Sequence, residues 1–442
     1  MTKISLNTKL KPYPAYKDSG VEWIGKIPKE WGVSPLFAVT RENASRNTDG
    51  KVTHLLSLSY GRIIKKDIES TFGLLPATFN TYQIIKSGQT VMRLTDLQND
   101  KVSLRVGFAE ENGIITSAYL ALDAKSVLRP RYLYYLLHAY DINKVYYGMG
   151  GGVRQSIGFK ELKRMGMLLP SREEQEKVID YLDEKTALID RAIGQKEKLI
   201  ELLKERRAAL ITHAVTKGLD AKAPLVDSGI PWIGMIPKGW EIKKLKHLSD
   251  IRASNVDKIS VAGQKAVRLC NYTDVYNNEH ITSGMAENFM LATATDLQIE
   301  NLSLLRGDIV VTKDSETPDD IGIPSLIKED LEGVVCGYHL AVIRPTKIEP
   351  RLLFRYLQST CAKTQYFLAA RGFTRFGLGV GEIGSALVVV PPEKEQKIIS
   401  DYLNAGLSRI DRSVQLIDSS IRLLTEYKVA LIHHVVMGKV QI

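Results

Sequence analysis

The segment DSGVEWIGKIPKEW at residues 18–31 decides the fold, because it returns as DSGIPWIGMIPKGW at residues 227–240. The matching residues lie 209 positions apart without a gap. A second repeat, at an offset of 221, joins LLPSREEQEKVIDYLDEKTALIDR at residues 168–191 to VVPPEKEQKIISDYLNAGLSRIDR at residues 389–412. Solenoid repeats are only about 20–45 residues long, so this is not a solenoid. The sequence therefore predicts a duplicated half of roughly 200 residues.

Both halves show the same order of elements. Short β-like runs at 88–92 and 307–312 are followed by a helical piece, a glycine-rich loop with an arginine, and a long helix. The first long helix is predicted over 171–216, with Ser171 and Glu174 as a capping box and a C-cap glycine at Gly218. The second is predicted to begin after Pro391 and Pro392.

Apolar residues recur every seven positions along both long helices, and this period predicts a supercoiled seam. A globular domain separates the helices in the chain, so an antiparallel pair is the economical arrangement. Two separate amphipathic helices, each lying on its own domain, are the alternative. The predicted seam residues are Leu182, Ile189, Leu203 and Leu210 in the first helix, and Leu403, Ile410, Ile417, Leu424 and Leu431 in the second.

These patterns predict an α+β fold with a pseudo-two-fold internal duplication. Two mixed α/β domains, 1–165 and 218–388, are each followed by a long helix, at 166–217 and 389–442. The two helices form the antiparallel coiled coil.

The net charge of +10 over 442 residues is concentrated in one segment. Residues 1–165 carry 24 Lys and Arg against 14 Asp and Glu, whereas residues 218–388 carry 19 against 20. The long helices are close to neutral, with 10 against 10 in 166–217 and 7 against 6 in 389–442. Phosphate binding accounts for a basic first domain. The second domain must contact a polyanion through local clusters.

Several classes of protein are excluded or disfavoured. No uncharged apolar run reaches the roughly 18 residues of a membrane span, and the N-terminus has no apolar core of a signal peptide. The three cysteines, Cys270, Cys336 and Cys361, include no CxxC pair, which suggests a reducing cytoplasm.

Catalytic motifs are weak throughout the chain. Gly20-x4-Gly25-Lys26 resembles a phosphate loop, but Ile27 stands where the magnesium-binding Ser or Thr belongs. The Gly379-x-Gly381-x-x-Gly384 match to a dinucleotide fingerprint lacks a βαβ unit, so a loop is expected there. The one Pro-Pro pair enters a helix and does not form a methyltransferase tetrapeptide. A metal-dependent nuclease using Asp319, Asp320 and Lys328 stays open as an alternative.

The remaining signals point to DNA binding. Each mixed domain ends in a glycine-flanked arginine loop, and arginine and glutamine side chains can read base edges in the major groove. An arginine paired across its own turn is the alternative for these loops. The candidate DNA-binding residues are Arg93, Gln98, Asn99, Lys101, Arg105, Arg154 and Gln155 in the first domain, and Lys313, Arg371, Thr374 and Arg375 in the second.

Together these motifs resemble the specificity subunits of type I restriction–modification systems. The resemblance is carried by the DSG-x-x-WIG-x-IP-x-x-W opening of both halves, GIITSAY at 113–119, the two arginine loops, and the P-x-x-x-EQ starts of the long helices. It covers essentially the whole chain.

The resemblance implies two target-recognition domains, each reading one half of a split double-stranded DNA site, with the helices setting the gap. It implies two docked modification subunits that bring S-adenosylmethionine and methylate adenine, and restriction subunits that bring ATP and magnesium. The specificity subunit itself would bind no cofactor and catalyse nothing. A specificity protein for a fused nuclease–methyltransferase is the nearest alternative.

Overall fold

The computed structural model describes residues 11–66, 78–97, 104–149 and 156–442. The chain divides into two compact units. Unit 1 combines Met1–Lys196 with Asp418–Ile442, and unit 2 is Glu197–Ile417. Each unit therefore takes half of each long helix together with one mixed region, whereas the predicted domain boundaries keep the helices separate from the mixed regions.

The described elements that begin in the first half of the chain are short apart from two helices, of 13 and 46 residues. The strands are β1 (Tyr16–Asp18), β2 (Lys26–Pro28), β3 (Gly32–Pro35), β4 (Thr40–Glu42), β5 (Leu56–Ser59), β6 (Arg62–Lys65), β7 (Gln83–Ile85), β8 (Thr90–Met92), β9 (Val106–Phe108), β10 (Gly113–Ile115), β11 (Leu120–Ala124) and β12 (Gly166–Leu169). The helices are α1 (Leu36–Val39), α2 (Pro130–Ile142), α3 (Phe159–Leu162) and α4 (Arg172–Lys217), with a 3-10 turn at Val145–Gly148.

The second half of the chain follows the same plan. Its strands are β13 (Leu225–Asp227), β14 (Met235–Pro237), β15 (Glu241–Lys244), β16 (Ser249–Ala253), β17 (Lys265–Cys270), β18 (His280–Ile281), β19 (Met290–Ala294), β20 (Ile309–Thr312), β21 (Asp314–Ser315), β22 (Pro324–Ile327), β23 (Val334–Cys336), β24 (Leu340–Pro345), β25 (Phe376–Gly377) and β26 (Leu387–Val390). Its helices are α5 (Tyr272–Tyr276), α6 (Ser283–Ala286), α7 (Asp296–Leu302), α8 (Pro350–Gln358), α9 (Thr360–Ala369), α10 (Val380–Ser385) and α11 (Glu393–Val436), with a 3-10 turn at Leu245–His247.

The largest sheet of each unit has the same strand order. In unit 1 it runs β4-β11-β8-β9, and in unit 2 it runs β16-β24-β20-β22, with β18 added at the edge. The β-like runs predicted at 88–92 and 307–312 form β8 and β20, which lie inside these sheets. The duplication read from the sequence is therefore a duplication of fold.

The repeated DSG segment forms the same hairpin in both units. Asp18 pairs with Lys26, and Asp227 pairs with Met235, at the same position in each hairpin. The turns contain Gly20 at φ 73° and Gly229 at φ 70°, a left-handed conformation that glycine adopts without a Cβ clash. The phosphate-loop letters therefore belong to a structural turn.

The tryptophans of the hairpin segment behave alike in the two units. Trp31 and Trp240 are 0% and 8% exposed in their cores, while Trp23 and Trp232 are 39% and 37% exposed. One tryptophan of each copy thus anchors the hairpin and the other reaches the surface.

The glutamine of each P-x-x-x-EQ motif holds two helix starts together. Gln175 Nε2 donates to the Pro170 carbonyl at 3.0 Å, and its Oε1 accepts from the backbone N–H of Arg129, which precedes α2. Gln396 makes the same contacts with the Pro391 carbonyl and the N–H of Glu349, which precedes α8. Both side chains are buried. The repeated glutamine therefore has a structural role, because it binds backbone groups at the starts of two helices.

Replacing Gln175 or Gln396 with alanine should lower the free energy of unfolding by about 1–3 kcal/mol, because buried backbone groups lose their partners. Urea unfolding followed by circular dichroism measures this loss. Lys397→Ala, an exposed neighbour, is the control and should change stability by less than about 0.5 kcal/mol. Equal losses in the glutamine and lysine variants would remove the structural role.

The long helices pack against each other within each unit. In unit 1, Lys428 Nζ on α11 donates to both carboxylate oxygens of Asp190 on α4 at 2.7 Å. In unit 2, Arg207 Nε on α4 donates to Asp411 Oδ1 on α11 at 3.2 Å, and a Cβ on Gly406 would lie 3.3 Å from Leu210 Cδ2. Leu210 follows Arg207 on α4, whereas its neighbour Gly406 precedes Asp411 on α11. The two helices are therefore antiparallel in unit 2.

All nine predicted seam residues are buried or half-buried. Leu182, Leu403 and Leu431 have no exposed surface, and Ile189 is 8% exposed. The paired arrangement is confirmed, and the alternative of two separate amphipathic helices is not what the chain adopts.

Two local predictions differ from the structure. Ser171 Oγ accepts from the Glu174 N–H at 3.3 Å, but the Glu174 carboxylate accepts a hydrogen bond from Tyr13, so the capping box is only half formed. Gly379–Gly384 was expected to be a loop, yet Val380–Ser385 forms α10. Among the described residues, no helix is long and apolar enough to span a membrane.

Candidate nucleic-acid interface

In unit 2 the fold joins the two segments that the sequence analysis singled out. Strand β21, which follows Lys313, pairs with β25 of the arginine loop, with Asp314 opposite Gly377. The loop closes on itself because Arg371 and Gly377 exchange backbone hydrogen bonds of 3.1 and 2.9 Å. The Leu378 N–H then donates to the Lys313 carbonyl at 2.8 Å. Lys313 therefore lies beside the loop.

The arginine loop needs glycine at one position. A Cβ on Gly372 would lie 1.9 Å from the Arg375 carbonyl oxygen, and the φ angle of Gly372 is +139°. No other residue fits without moving the backbone. The neighbouring Phe373 is 100% exposed, so the tight turn presents an aromatic ring to solvent.

Arg375 lies beside the polar pair of His339 and Asp314. His339 Nδ1 lies 2.7 Å from Asp314 Oδ2, to which it donates when it carries the proton, and it lies 3.2 Å from Arg375 Nη2. Beside them, Lys313 Nζ lies 4.7 Å from the centre of the Tyr338 ring, which is a cation–π contact. We call Lys313, Tyr338, His339, Phe373 and Arg375 the Lys313–Arg375 cluster.

Stacked tyrosines lie close to this cluster. Tyr272 and Tyr276 stack with ring centroids 5.5 Å apart, and the Tyr276 hydroxyl donates to Asp320 at 2.8 Å. Burial raises the pKa of Tyr272, and the charges of Asp320 and Arg375 also act on it. Cationic side chains next to exposed aromatic rings suit a nucleic acid, which offers phosphates and base faces together.

The other predicted residues of this loop take different positions. Thr374 is exposed. The Arg371 side chain is 84% exposed and lies 3.5 Å from the Glu382 carboxylate, so this arginine adopts the ion pair that was the alternative for the loops.

In unit 1, the position of Arg105 contradicts its predicted role as a DNA contact. This residue has no exposed surface. Its guanidinium donates to the carbonyls of Thr95 at 2.8 Å and Asp96 at 3.2 Å, and its Nε donates to the Tyr147 hydroxyl at 3.0 Å. A buried guanidinium whose N–H groups are bound to the protein cannot reach DNA, so Arg105 holds the surrounding chain in place.

Arg93 is half-buried and pairs with Arg105 through its backbone N–H at 2.8 Å. The remaining predicted residues of this region fall outside the described residues: Gln98, Asn99, Lys101, Arg154 and Gln155.

Sequence reasoning missed Tyr338, His339 and Phe373. Phe373 could have been found, because an aromatic residue inside a glycine and arginine loop is a stacking signal. Tyr338 and His339 follow a buried strand more than 30 residues before the loop, and nothing in their spacing marks them.

The nuclease alternative gains no support from the geometry. Asp320 accepts a hydrogen bond from Tyr276, and burial lowers the pKa of Lys328, to which the charge of Arg355 also contributes. Across the described ranges, no three His, Cys, Asp or Glu side chains gather as metal ligands.

Comparison with known proteins identifies relatives along nearly the whole chain. No protein-family model matches. Two proteins of Methanocaldococcus jannaschii are similar: the putative type I restriction enzyme MjaX specificity subunit, 22% identical over 438 residues, and the MjaIX specificity subunit, 21% identical over 442 residues. The alignments cover 95% of this chain, and 96% and 95% of the relatives. The MjaVIII specificity subunit of the same organism is 21% identical over 76% of each chain.

Two solved structures share the fold. A chain from a structure of type I restriction–modification complex assembly matches with a TM-score of 0.67 and 15% identity, covering 93% of this chain and 98% of the other. The HsdS subunit of Thermoanaerobacter tengcongensis matches with a TM-score of 0.50, 15% identity and the same coverage. By sequence and by fold, the chain is a homologue of the specificity subunits of type I restriction–modification systems, which confirms the resemblance predicted from its motifs.

Proposed function

We propose that this chain is the DNA-sequence-specificity subunit of a type I restriction–modification complex and performs no catalysis of its own. The observation that carries the proposal is the match to specificity subunits over 95% of the chain. The duplicated fold supports it, because two similar regions suit a recognition site made of two halves.

Each mixed region, 1–165 and 218–388, reads one half-site in this proposal. The Lys313–Arg375 cluster is the reading surface of the second region, with Arg371 and Thr374 at its edge. Phosphate contacts by lysine and arginine would position the chain, and a few side chains would specify bases. In the first region, Arg93 stays a candidate, together with Gln98, Asn99, Lys101, Arg154 and Gln155.

The long helices, 166–217 and 389–442, set the gap between the half-sites and bind the partners. We propose that two modification subunits dock on them and bring S-adenosylmethionine, and that restriction subunits bring ATP and magnesium. The complex would act in the cytoplasm, where the DNA is.

Two exposed leucines are the proposed anchors for the modification subunits. Leu202 on α4 is 51% exposed and Leu423 on α11 is 61% exposed. They lie 221 positions apart, so they are the same position in the two copies of the repeat. An exposed apolar side chain at one repeated position suits two copies of one partner.

Leu202→Glu and Leu423→Glu should each weaken one docking contact by about 2 kcal/mol or more, the size of a hot-spot side chain. Size-exclusion chromatography with light scattering should then show one bound modification subunit where the unmodified chain binds two. Ser408→Glu, at an exposed position of α11, adds the same single charge and is the control. Two subunits still bound to the double variant would reject this surface.

The proposed function is tested by incubating the purified chain with DNA and Mg²⁺. The chain should bind DNA and leave every strand intact. Cleavage without partner subunits would establish an enzyme and contradict the proposal.

A further inference from the structure

The ion pair between the long helices is the same contact in both units. Asp190 and Asp411 lie 221 positions apart, and so do Arg207 and Lys428. Unit 1 pairs the acid of α4 with the cation of α11, and unit 2 pairs the cation of α4 with the acid of α11. In each unit a residue of the mixed region contacts this pair: Arg62 in unit 1 and Glu279 in unit 2.

The contact in unit 2 is partly buried and ties several elements together. One carboxylate oxygen of Glu279 accepts from Arg207 on α4, and the other accepts from Arg355 on α8. Arg207 continues to Asp411 on α11. The Glu279 carbonyl is itself held by the Leu326 N–H at 3.0 Å, which joins it to the sheet strand β22. Glu279 therefore contacts the sheet through its backbone carbonyl and contacts α4 and α8 through its carboxylate, and Arg207 extends this contact to α11.

The Glu279 carboxylate balances the positive charges of Arg355 and Arg207. Burial raises the pKa of Glu279, but the charges of Arg355 and Arg207 outweigh burial, and the pKa lies below its ordinary value. Arg355 is 4% exposed. Without the Glu279 carboxylate, two neighbouring guanidiniums would face each other with Asp411 as the remaining acid beside Arg207. A cation left buried without its partner is strongly destabilising, so this region would shift to relieve it.

The equivalent contact in unit 1 is weak. The Arg62 side chain is 70% exposed, and its Nη2 lies 3.5 Å from Asp190 Oδ2. Exposed ion pairs of this kind contribute little. The contact between this ion pair and the mixed region is therefore more exposed in unit 1 than in unit 2.

We propose that Glu279 is a positioning residue that holds the second recognition region at one fixed orientation on the helix pair, and thereby restricts the complex to a single half-site spacing. This inference rests on the proposed function. It assigns the spacing preference to a side chain that lies on neither the seam nor the Lys313–Arg375 cluster.

The test compares spacing preferences in the assembled methyltransferase complex. Methylation rates are measured on DNAs whose half-sites have the native gap, or a gap one base pair shorter or longer. Glu279→Gln should reduce the preference for the native gap about tenfold, equivalent to about 1.4 kcal/mol. Glu279→Asp keeps the charge on a shorter side chain. Its preference for the native gap should lie between that of the unmodified complex and that of Glu279→Gln. Glu329→Gln changes an exposed carboxylate that accepts hydrogen bonds from Ser283. This variant and Arg62→Gln should keep the native preference.

The possible results separate the inference from the proposed function. A native spacing preference in Glu279→Gln overturns the positioning role, even if the melting temperature falls. Where Glu279→Gln does not fold, Glu279→Asp decides, and a native preference in that variant overturns the role. An unmodified complex that requires no split site at all contradicts the proposed function instead.

Discussion

Replacing Leu431 with glutamate is expected to unfold unit 1. Leu431 has no exposed surface and belongs to the unit 1 core cluster, together with Leu182 and Ile189 of α4. Losing a buried leucine costs about 2–5 kcal/mol, and an unpaired carboxylate in its place adds a further penalty. We therefore expect a loss of about 4 kcal/mol or more in the free energy of unfolding, measured by thermal or urea unfolding followed by circular dichroism.

Leu423→Glu is the matched control for this change. It places the same charge on the same helix, at a position that is 61% exposed. The stability of this variant should stay within about 0.5 kcal/mol of the original, while its partner binding falls. Similar stability of the Leu431 and Leu423 variants would contradict the paired-helix core.

Replacing Arg375 with alanine is expected to cause the largest loss of DNA recognition. The Arg375 guanidinium is exposed and lies beside His339, which pairs with Asp314. A lost bidentate base contact costs about 1–3 kcal/mol. The effect should be confined to one half-site, because Arg375 belongs to one copy of the repeat. Lys313→Ala should weaken binding more evenly across sequences, since a lysine acts on phosphates as a point charge.

Binding titrations at fixed salt on DNAs mutated in either half-site measure both effects. Arg409→Ala removes an exposed arginine from α11 in the same unit, and it should leave the discrimination between half-sites unchanged. Unaltered discrimination in Arg375→Ala would remove this residue from the reading surface.

The features that follow from local pattern could be predicted from the sequence. The heptad spacing and the terminal signals placed α4 at 171–216, and the structure places it at Arg172–Lys217. Gly218 ends α4 at φ 72°, and its N–H donates to the Ala214 carbonyl at 3.2 Å, as a C-cap glycine does. The repeat itself required the two halves to share a fold.

The features that depend on contacts between distant segments could not be predicted. Arg105 looks like a DNA contact in a polar stretch, but Tyr147, 42 residues later, and nearby carbonyls enclose it. Glu174 fits a capping box, but Tyr13 binds its carboxylate. In the second mixed region, Lys313 and Arg375 become neighbours through the pairing of β21 with β25, which no spacing rule would have indicated.

The two mixed regions differ in net charge, and we expect them to contribute differently to DNA binding. In the near-neutral second mixed region, the Lys313–Arg375 cluster places two cations beside exposed aromatic rings. The basic first region carries an excess of Lys and Arg over Asp and Glu along residues 1–165. We infer that the first region contributes most of the salt-dependent, non-specific affinity for DNA. The second region then depends on individual side chains positioned for specific contacts.

Sequencing of DNA methylation in the host, with and without this gene, tests the central claim most directly. The account predicts a split motif, two specific half-sites separated by a fixed gap of unspecified bases, that is methylated only when the gene is present. A host carrying the Arg375→Ala chain should keep one half-site and lose specificity in the other. A continuous motif, or a methylation pattern that does not depend on the gene, would contradict the account.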